Sequence, residues 1–146
     1  MKSLARNLYL PSLLIWLLSG LACQAPEVGK SLQGQWEFLY YETLESGEVS
    51  LPPDHLPTPV VFDFEDKGRN GSFDGTTITN RILGRYRLKS DGSMEVKEVS
   101  GTQLGEPEWV QALWPALASV HAYEVSTTRM TLTYESGGKQ LVFAKP

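Results

Sequence analysis

The sequence is poor in the residues from which active sites and crosslinks are commonly built. It has one cysteine, Cys23, and two histidines, His55 and His121, which are too far apart for a typical metal-binding pair. It contains neither a Gly-x-Ser-x-Gly elbow nor a Gly-x-x-x-x-Gly-Lys-Ser/Thr phosphate loop. With no disulfide available, a folded domain must depend on its core. We therefore predict no catalytic residue, no metal site, no cofactor and no enzymatic activity.

The chain also lacks a hydrophobic run long enough to span a membrane. The longest such run, residues 8–18, covers about 11 residues and contains Pro11, whereas a spanning helix needs about 20. Positive charges precede the run and small residues follow it, which is the layout of a secretion signal. These flanking residues are Lys2, Arg6, Ser19, Gly20 and Ala22. We interpret residues 1–22 as a lipoprotein signal peptide.

Cys23 follows that segment, and we predict that it is lipidated and becomes the first residue of the mature chain. A lone free thiol suits an oxidising envelope poorly, which favours this interpretation. A lipobox usually has Leu three residues before the cysteine, but Gly20 stands there, so simple cleavage after Ala22 is the alternative. Two acyl chains would anchor the protein stably, with residues 23–31 as a tether. The expected location is the bacterial cell envelope, at the outer membrane or periplasmic face, or otherwise secretion.

The charge balance limits the possible partners. Without Lys2 and Arg6, the mature chain has eleven basic and seventeen acidic residues, a net charge of −6. Nucleic acids and anionic membrane surfaces attract clustered Lys and Arg. The composition therefore predicts no nucleic-acid partner and argues against direct contact with an anionic membrane surface. The expected partners are the membrane, through the lipid on Cys23, and another envelope protein.

From Leu32 onward, apolar and polar residues mostly alternate, which is the period of half-buried antiparallel strands. One segment, 109–120, instead has apolar residues at spacings of three and four, and predicts an amphipathic helix broken before Pro115. The predicted fold is mainly β (α+β): a single antiparallel barrel-like sheet of about 7–8 strands, with one amphipathic helix before the last strands. The strand residues placed on the inward face include Trp36, Phe38, Tyr40, Phe62, Phe64, Ile82, Tyr86 and Leu88.

Three hairpin turns follow from pairing residues that share a face. Ser90-Asp91-Gly92 is predicted as a three-residue loop, with Gly92 left-handed. Pairing Tyr134 with Leu141 predicts a two-residue turn at Gly137-Gly138. The third turn stays open between two pairs, Gly68-Arg69 and Asn70-Gly71.

Acidic residues cluster around this third turn, but their spacing does not match a calcium loop. We predict a solvated acidic rim, formed by Asp63, Glu65, Asp66 and Asp74. Asp54 and His55, in the proline-rich segment 51–59, are the other candidates for chemistry, and nothing places a nucleophile beside a base.

Short motifs occur in an order that resembles a known family. Residues 32–36 are similar to a Leu-x-Gly-x-Trp start that contains Gly34 and Trp36. A central Asn-x-x-x-Gly-x-Tyr spacing is kept by Asn80, Gly84 and Tyr86. Together with the position of the helix, this order resembles the META/HslJ-like domain of many bacterial envelope lipoproteins, and we assign residues 32–146 to it.

The resemblance implies an antiparallel barrel-like sheet with one helix, no generally established enzymatic activity, and a loose link to envelope stress and secretion. The family's two cysteine positions are occupied by Thr79 and Glu106. Asn80 shares the inward parity of Ile82 and Tyr86, so we expect its side chain to bond to buried backbone groups. The expected function is a non-catalytic envelope module that contacts another protein.

A lipocalin-like barrel is the alternative, because Gly34-Gln35-Trp36 fits that family's start as well. An eight-stranded barrel can hold one small ligand, and the aromatic face could line its cavity. On this alternative the protein would carry a small apolar molecule. The predicted helix precedes the last three strands, and this order favours the META-like interpretation.

Overall fold

The computed structural model describes residues 30–146, so the predictions for the signal peptide, Cys23 and residues 24–29 lie outside the described residues. The described chain forms nine strands and two short helices. In order they are β1 Gly34–Thr43, β2 Glu48–Ser50, β3 Val60–Lys67, β4 Asn70–Thr76, β5 Arg81–Leu88, β6 Met94–Gly101, α1 Glu108–Gln111, α2 Leu113–Ala118, β7 Ala122–Val125, β8 Arg129–Tyr134 and β9 Lys139–Ala144.

All strands belong to one antiparallel sheet with the order β6-β5-β4-β3-β1-β9-β8-β7, and β2 pairs with the end of β1. The sheet curls until its outer strands meet at one point, where Ser93 bridges Ala122 and the Met94 amide donates to the His121 carbonyl at 2.8 Å. Between β6 and β7, the chain forms the helical segment, and α2 packs against β6. The predicted mainly β fold, with its helical segment before the last strands, is confirmed.

Aromatic side chains fill the inside of the curled sheet. In β5, exposed and buried residues alternate without interruption, as the period-2 pattern predicts. The rings of Phe62, Phe64, Phe73 and Phe143 contact one another with centroids 5.6–6.4 Å apart. Such edge-on and tilted contacts stabilise the core beyond the burial of area alone.

A bulge in β1 changes which tyrosine faces inward. The register against β9 shifts between Phe38 and Tyr40. Because one extra residue reverses the parity of a strand, Tyr41 is buried while Tyr40 is only half-buried. The prediction that Tyr40 continues the inward face was therefore wrong.

The structure confirms one predicted hairpin turn and decides another that the sequence left open. Leu88 lies opposite Met94, and Gly92 has φ of +81°, which confirms the three-residue loop at 90–92. At the open turn, Lys67 lies opposite Asn70, so Gly68-Arg69 forms the two-residue loop.

The predicted register of the last hairpin was wrong by two residues. Leu132, not Tyr134, lies opposite Leu141, and the loop has the four residues 135–138. The observed register places Met130 opposite Phe143, and both side chains are fully buried. The predicted register would have placed Met130 opposite Lys145, which is exposed. Core complementarity therefore decided the register over the turn preference of Gly-Gly.

The helical segment breaks at Ala112, between α1 and α2 and before Pro115, as predicted. Proline lacks the N–H donor and crowds the carbonyl of the preceding turn, so a continuous helix is costly here. Val110, Leu113 and Leu117 are buried, whereas Trp109 is half-buried. Neither helix among residues 30–146 has the length and apolar character needed to cross a membrane.

The curled sheet has two ends that differ in what they carry. The tether end comprises residues 30–33, 66–70, 88–93, 126–128 and 145–146, which are joined by bonds such as Leu88 N to Arg69 O and Lys145 N to Thr128 O. The helix end comprises residues 44–59, 77–80, 102–119 and 135–138, joined by bonds such as Leu44 N to Gly138 O. Strand β1 runs from the tether end to the helix end.

Candidate functional site

The glycines of the central motif make room for aromatic rings on neighbouring strands. Phe73 lies opposite Gly84, and a Cβ at Gly84 would stand 2.0 Å from the Phe73 ring. The pairs Phe62 with Gly75 and Tyr86 with Gly71 repeat this arrangement. Glycine in a strand interior often marks such a close approach. Gly84 therefore acts in the core, and nothing exposes it for binding.

The first motif fixes the start of the domain. The Trp36 indole N–H donates to the Leu32 carbonyl at 2.7 Å, and Trp36 is almost completely buried. Gly34 has φ of +112°, a value that side-chain-bearing residues rarely adopt. The Lys145 ammonium stands 3.8 Å from the centroid of the Trp36 ring. Gly34 and Trp36 thus join the two ends of the described chain.

Asn80 connects two loops at the helix end. Its side-chain amide donates to the Leu104 carbonyl at 2.8 Å, and its side-chain oxygen accepts from the Leu104 amide at 2.7 Å. Asn80 is buried, as its parity predicts. This two-way bond satisfies both backbone groups of Leu104 and holds the loop 102–107 against the turn 77–80.

Glu106 strengthens the same connection. One carboxylate oxygen accepts from the Thr77 hydroxyl at 2.5 Å, the Thr79 amide at 2.8 Å and the Asn80 amide at 3.2 Å. Burial by itself would raise the pKa of Glu106, but these hydrogen bonds together hold its pKa below the ordinary value of 4.5. Thr79 and Glu106, which the family resemblance places at two cysteine positions, are therefore joined by a hydrogen bond.

Asp66 makes a corresponding set of bonds at the tether end. One of its carboxylate oxygens accepts from the Ser31 hydroxyl at 2.6 Å and the Leu32 amide at 2.7 Å, and the other accepts from the Tyr86 hydroxyl. Burial, with the neighbouring Asp66 carboxylate, raises the pKa of Tyr86. Ser31 thus already belongs to the fold, and Asp66 is not part of a solvated rim. Sequence reasoning missed this role because residues 31, 66 and 86 are distant in sequence.

A groove at the helix end is the largest concave surface that we find among residues 30–146. It has a volume of about 870 Å³ and lies between the β1–β2 hairpin and the two helices. The Trp109 indole donates to the Ser50 carbonyl at 3.1 Å, and the Tyr41 hydroxyl donates to the Trp109 carbonyl at 2.7 Å. These bonds clamp α1 onto β1 and β2. We call this surface the aromatic groove. Its aromatic and charged lining residues are Tyr41, Glu48, Glu108, Trp109, Tyr134, Glu135 and Lys139.

The aromatic groove combines ring faces with acidic groups. Burial and the adjacent Glu135 raise the pKa of Tyr134 to about 12, so its hydroxyl stays protonated near neutral pH. Lys139 pairs with Glu135 at 3.0 Å, whereas Glu48 and Glu108 have no cationic partner within 4 Å in the described part of the chain. The groove therefore presents aromatic rings and carboxylates, which are chemically complementary to apolar and cationic groups.

Three apolar side chains in or beside the β1–β2 hairpin are exposed. Leu44, Val49 and Leu51 keep 45, 43 and 65% of their surface exposed. Leu44 and Leu51 are next in sequence to Thr43 and Ser50, which line the groove, whereas Val49 alternates with Glu48 and Ser50 along β2.

The residues weighed for catalysis do not meet. Asp54 and His55 are exposed in the segment between β2 and β3, and His121 is exposed at the start of β7. Within residues 30–146, no group of three or more His, Cys, Asp or Glu side chains is placed to hold a metal ion. Asp74, another acidic candidate, pairs with Arg81, and this hydrogen bond lowers its pKa.

The rings proposed to line a ligand cavity fill the interior instead. Trp36, Phe38, Phe62, Phe64 and Tyr86 keep at most 3% of their surface exposed. The grooves found on the described domain lie at its surface. The aromatic face therefore gives no support to the carrier alternative.

Comparison with known proteins assigns the fold to a family. The model of the META domain matches residues 30–146, and the chain therefore belongs to the META-domain family. A comparison with curated proteins finds no match.

Two solved structures have a similar fold. An NMR structure of a protein from Burkholderia xenovorans has 20% identity and a TM-score of 0.62, covering 78% of this chain and 82% of that one. A crystal structure of a DUF4847 family protein from Bacteroides vulgatus has 15% identity and a TM-score of 0.58, covering 77% and 92%. At these identities the likeness shows the fold alone.

Proposed function

We propose that this META-domain protein is a lipid-anchored, non-catalytic module of the bacterial cell envelope that binds another protein through the aromatic groove. The observation that carries the proposal is the groove itself. It brings together aromatic rings and two carboxylates without a cationic partner, and the exposed Leu44 and Leu51 are next in sequence to residues that line it.

The groove favours an extended, cationic segment of the partner. Strand β2 pairs only with β1 within the described domain, so its other edge has no strand beside it. Extended peptides commonly add to such an edge, where backbone bonds give affinity and side-chain contacts give specificity. Glu48 and Glu108 would then pair with Lys or Arg of the segment, and Leu51 would contact its apolar residues.

The lipid anchor is proposed on the signal-like segment and Cys23. Replacement of Cys23 by serine removes the thiol that lipidation requires. We expect C23S to release the protein from the membrane fraction and to abolish incorporation of labelled fatty acid. Unchanged membrane association without fatty-acid labelling would contradict the anchor.

The partner site is tested by photo-crosslinking in intact cells, with a photoreactive residue at Leu51 or at Leu83. Leu83 is a matched control because it is an exposed leucine on the outer face of β5. We expect one discrete crosslinked protein from position 51 and none from position 83. The double change Glu48→Lys and Glu108→Lys should abolish the product. Equal products at both positions, or none at either, would contradict the groove as a docking site.

The carrier alternative has its own test, native mass spectrometry of the gently purified protein. We expect the mass of the chain with its lipid and nothing more. Additional mass that disappears on denaturation would show a bound small molecule and would favour the carrier over the interaction module.

A further inference from the structure

Charged residues are separated between the two ends of the fold. The helix end has six acidic residues: Glu45, Glu48, Asp54, Glu106, Glu108 and Glu135. One basic side chain borders it, Lys139, which pairs with Glu135. The tether end has five basic residues: Lys30, Lys67, Arg69, Lys89 and Lys145. Its acidic side chains are Asp66 and Asp91, and the neighbouring Glu65 pairs with Lys67. The net charge of the whole chain hides this separation.

The acidic groups of the tether end are engaged within the fold. Asp66 accepts from Ser31, Leu32 and Tyr86, and Asp91 accepts from the amide and hydroxyl of Ser93. Their oxygens are therefore directed at donors of the protein itself.

Two of the basic residues border a common cleft. Arg69 and Lys89 line a cleft of about 590 Å³ between the turns at 68–69 and 90–92. Neither has an ion-pair partner within 4 Å in the described domain, and both are exposed. Lys30, at the start of the described chain, lines the same cleft.

The chain before Lys30 keeps this end close to any anchor on Cys23. Six residues, 24–29, lie between Cys23 and Lys30, so the two Cα atoms are seven steps apart. Fully extended, such a segment reaches at most about 25 Å. The basic end is thus within reach of the surface that would hold the lipid.

We propose that the tether end rests on anionic phospholipid headgroups, with Lys30, Arg69 and Lys89 facing the phosphates and the aromatic groove directed away from the membrane. This docked orientation rests on the proposed lipid anchor. The net charge argued against direct contact with an anionic membrane surface, and the proposal departs from that expectation for the tether end.

Screening explains why the overall negative charge does not prevent docking. The ten residues of β1 span roughly 30 Å between the two ends. The Debye length is about 10 Å at 0.1 M salt, so the acidic helix end is about three screening lengths from a surface that touches the tether end. The headgroups therefore interact mainly with the basic end.

The loss of membrane affinity on charge reversal can be calculated from the contribution of each basic residue. Each Lys or Arg near an anionic surface strengthens binding by roughly fivefold. Reversal of both Arg69 and Lys89 should therefore weaken docking by at least about 25-fold. The matched control, Arg85→Glu with Lys97→Glu, makes the same change in net charge at exposed positions of β5 and β6.

The test measures which end of the full-length, lipidated protein touches the membrane. With Cys23 lipidated, a cysteine introduced by Asn70→Cys or Ser46→Cys is the only free thiol and can carry a fluorophore. Asn70 lies at the tether end and Ser46 at the helix end, and both are exposed. The protein is placed in vesicles of phosphatidylcholine alone or with phosphatidylglycerol, each containing a lipid with a quencher on its headgroup.

We expect stronger quenching at position 70 in the anionic vesicles than in the neutral ones, and little quenching at position 46 in either. Arg69→Glu with Lys89→Glu, or 0.5 M salt, should remove the difference, and the control pair should preserve it. Equal quenching at position 70 in both vesicle types would overturn docking while leaving the anchor intact.

The anchor and the docking can fail separately. If the protein does not float with vesicles and carries no lipid, the anchor is wrong. The two labelled proteins are then remade with Cys23→Ser, so that the introduced thiol is again the only one, and are mixed with anionic vesicles in solution at low salt. Salt-sensitive quenching at position 70 alone would support docking without an anchor. No quenching at either position would overturn the docking proposal as well.

Discussion

The two ends of the fold are each held by one carboxylate, but the two carboxylates are used differently. Asp66, at the tether end, accepts from three donors that belong to the chain start and to β5. Glu106, at the helix end, accepts from three donors within the single turn 77–80. Asp66 therefore joins parts of the chain up to 35 residues away, whereas Glu106 joins two loops that Asn80 already connects.

This difference shows how a chain without disulfides secures its ends. A carboxylate that accepts several hydrogen bonds holds loops together without a covalent link. Its contribution to the free energy of unfolding depends on which donors would be left buried and unpaired without it. Asp66 serves the hydroxyl of the buried Tyr86. Glu106 serves two backbone amides and the hydroxyl of the buried Thr77, but that hydroxyl can also donate to the Asn80 carbonyl. We therefore expect a larger stability loss at the tether end than at the helix end.

The largest effect is expected from Asp66→Ala. The change leaves the Tyr86 hydroxyl and the Leu32 amide without acceptors, and each such loss costs about 1–3 kcal/mol. We expect the free energy of unfolding in urea to fall by about 3 kcal/mol. The isosteric Asp66→Asn should cost less, because it retains one acceptor oxygen.

A double-mutant cycle sharpens this expectation. Tyr86→Phe removes the hydroxyl that Asp66 serves, so Asp66→Ala should cost less in the Tyr86→Phe background. Additive losses would show that the bond between Asp66 and Tyr86 contributes nothing to stability.

Asn80→Ala should have an intermediate effect. It removes both bonds to Leu104 at a buried position, for an expected loss of about 1–3 kcal/mol. Chemical denaturation measures it, and Thr102→Ala on the same loop provides a comparison at an exposed position. A loss within measurement error would show that the loop is held by other contacts.

Glu106→Gln should cost about 1 kcal/mol near neutral pH and should change how stability depends on pH. Because the folded state lowers the pKa of Glu106, its contribution is fully present above the ordinary value of 4.5 and is lost as pH falls through the lower folded pKa. The wild type should therefore lose more stability than Glu106→Gln on acidification below pH 4.5. Parallel pH profiles of the two proteins would contradict this assignment.

The smallest effect is expected at the outer face of the sheet, away from both ends. Arg85 pairs with Glu98 across β5 and β6, and both side chains are largely exposed. Exposed pairs contribute roughly 0–1 kcal/mol and less at high salt. Arg85→Ala should shift the thermal midpoint by no more than about 4 °C, which differential scanning fluorimetry can follow. A shift as large as that of Asn80→Ala would reverse the ranking.

The sequence predicts the parts of this fold that are set by local pattern. Strict alternation predicts β5, and the three-residue loop 90–92 follows from parity together with Gly92. The helical segment and its break follow from apolar spacing and Pro115. The inward position of Asn80 also follows from its parity in β5.

What the sequence does not predict depends on distant contacts. The last hairpin takes its register from the packing of Met130 against Phe143, which outweighs the turn preference of Gly137-Gly138. The bulge that buries Tyr41 in place of Tyr40 lies where β1 changes its neighbouring strand. On that side β1 pairs with β3 in its first part and with β2 in its last part. The aromatic groove draws on β1, β2, α1 and the turn after β8, so no single segment carries its signature.

The strand order also limits when the protein can fold. Strand β1 lies in the middle of the sheet and pairs with β9, so that Glu37 lies opposite Ala144. Because this central pairing joins β1 to β9, the core cannot close until the residues up to 144 are available, and such non-local pairing is slow. We therefore expect the chain to stay open during synthesis until the six residues of β9 can pair with β1.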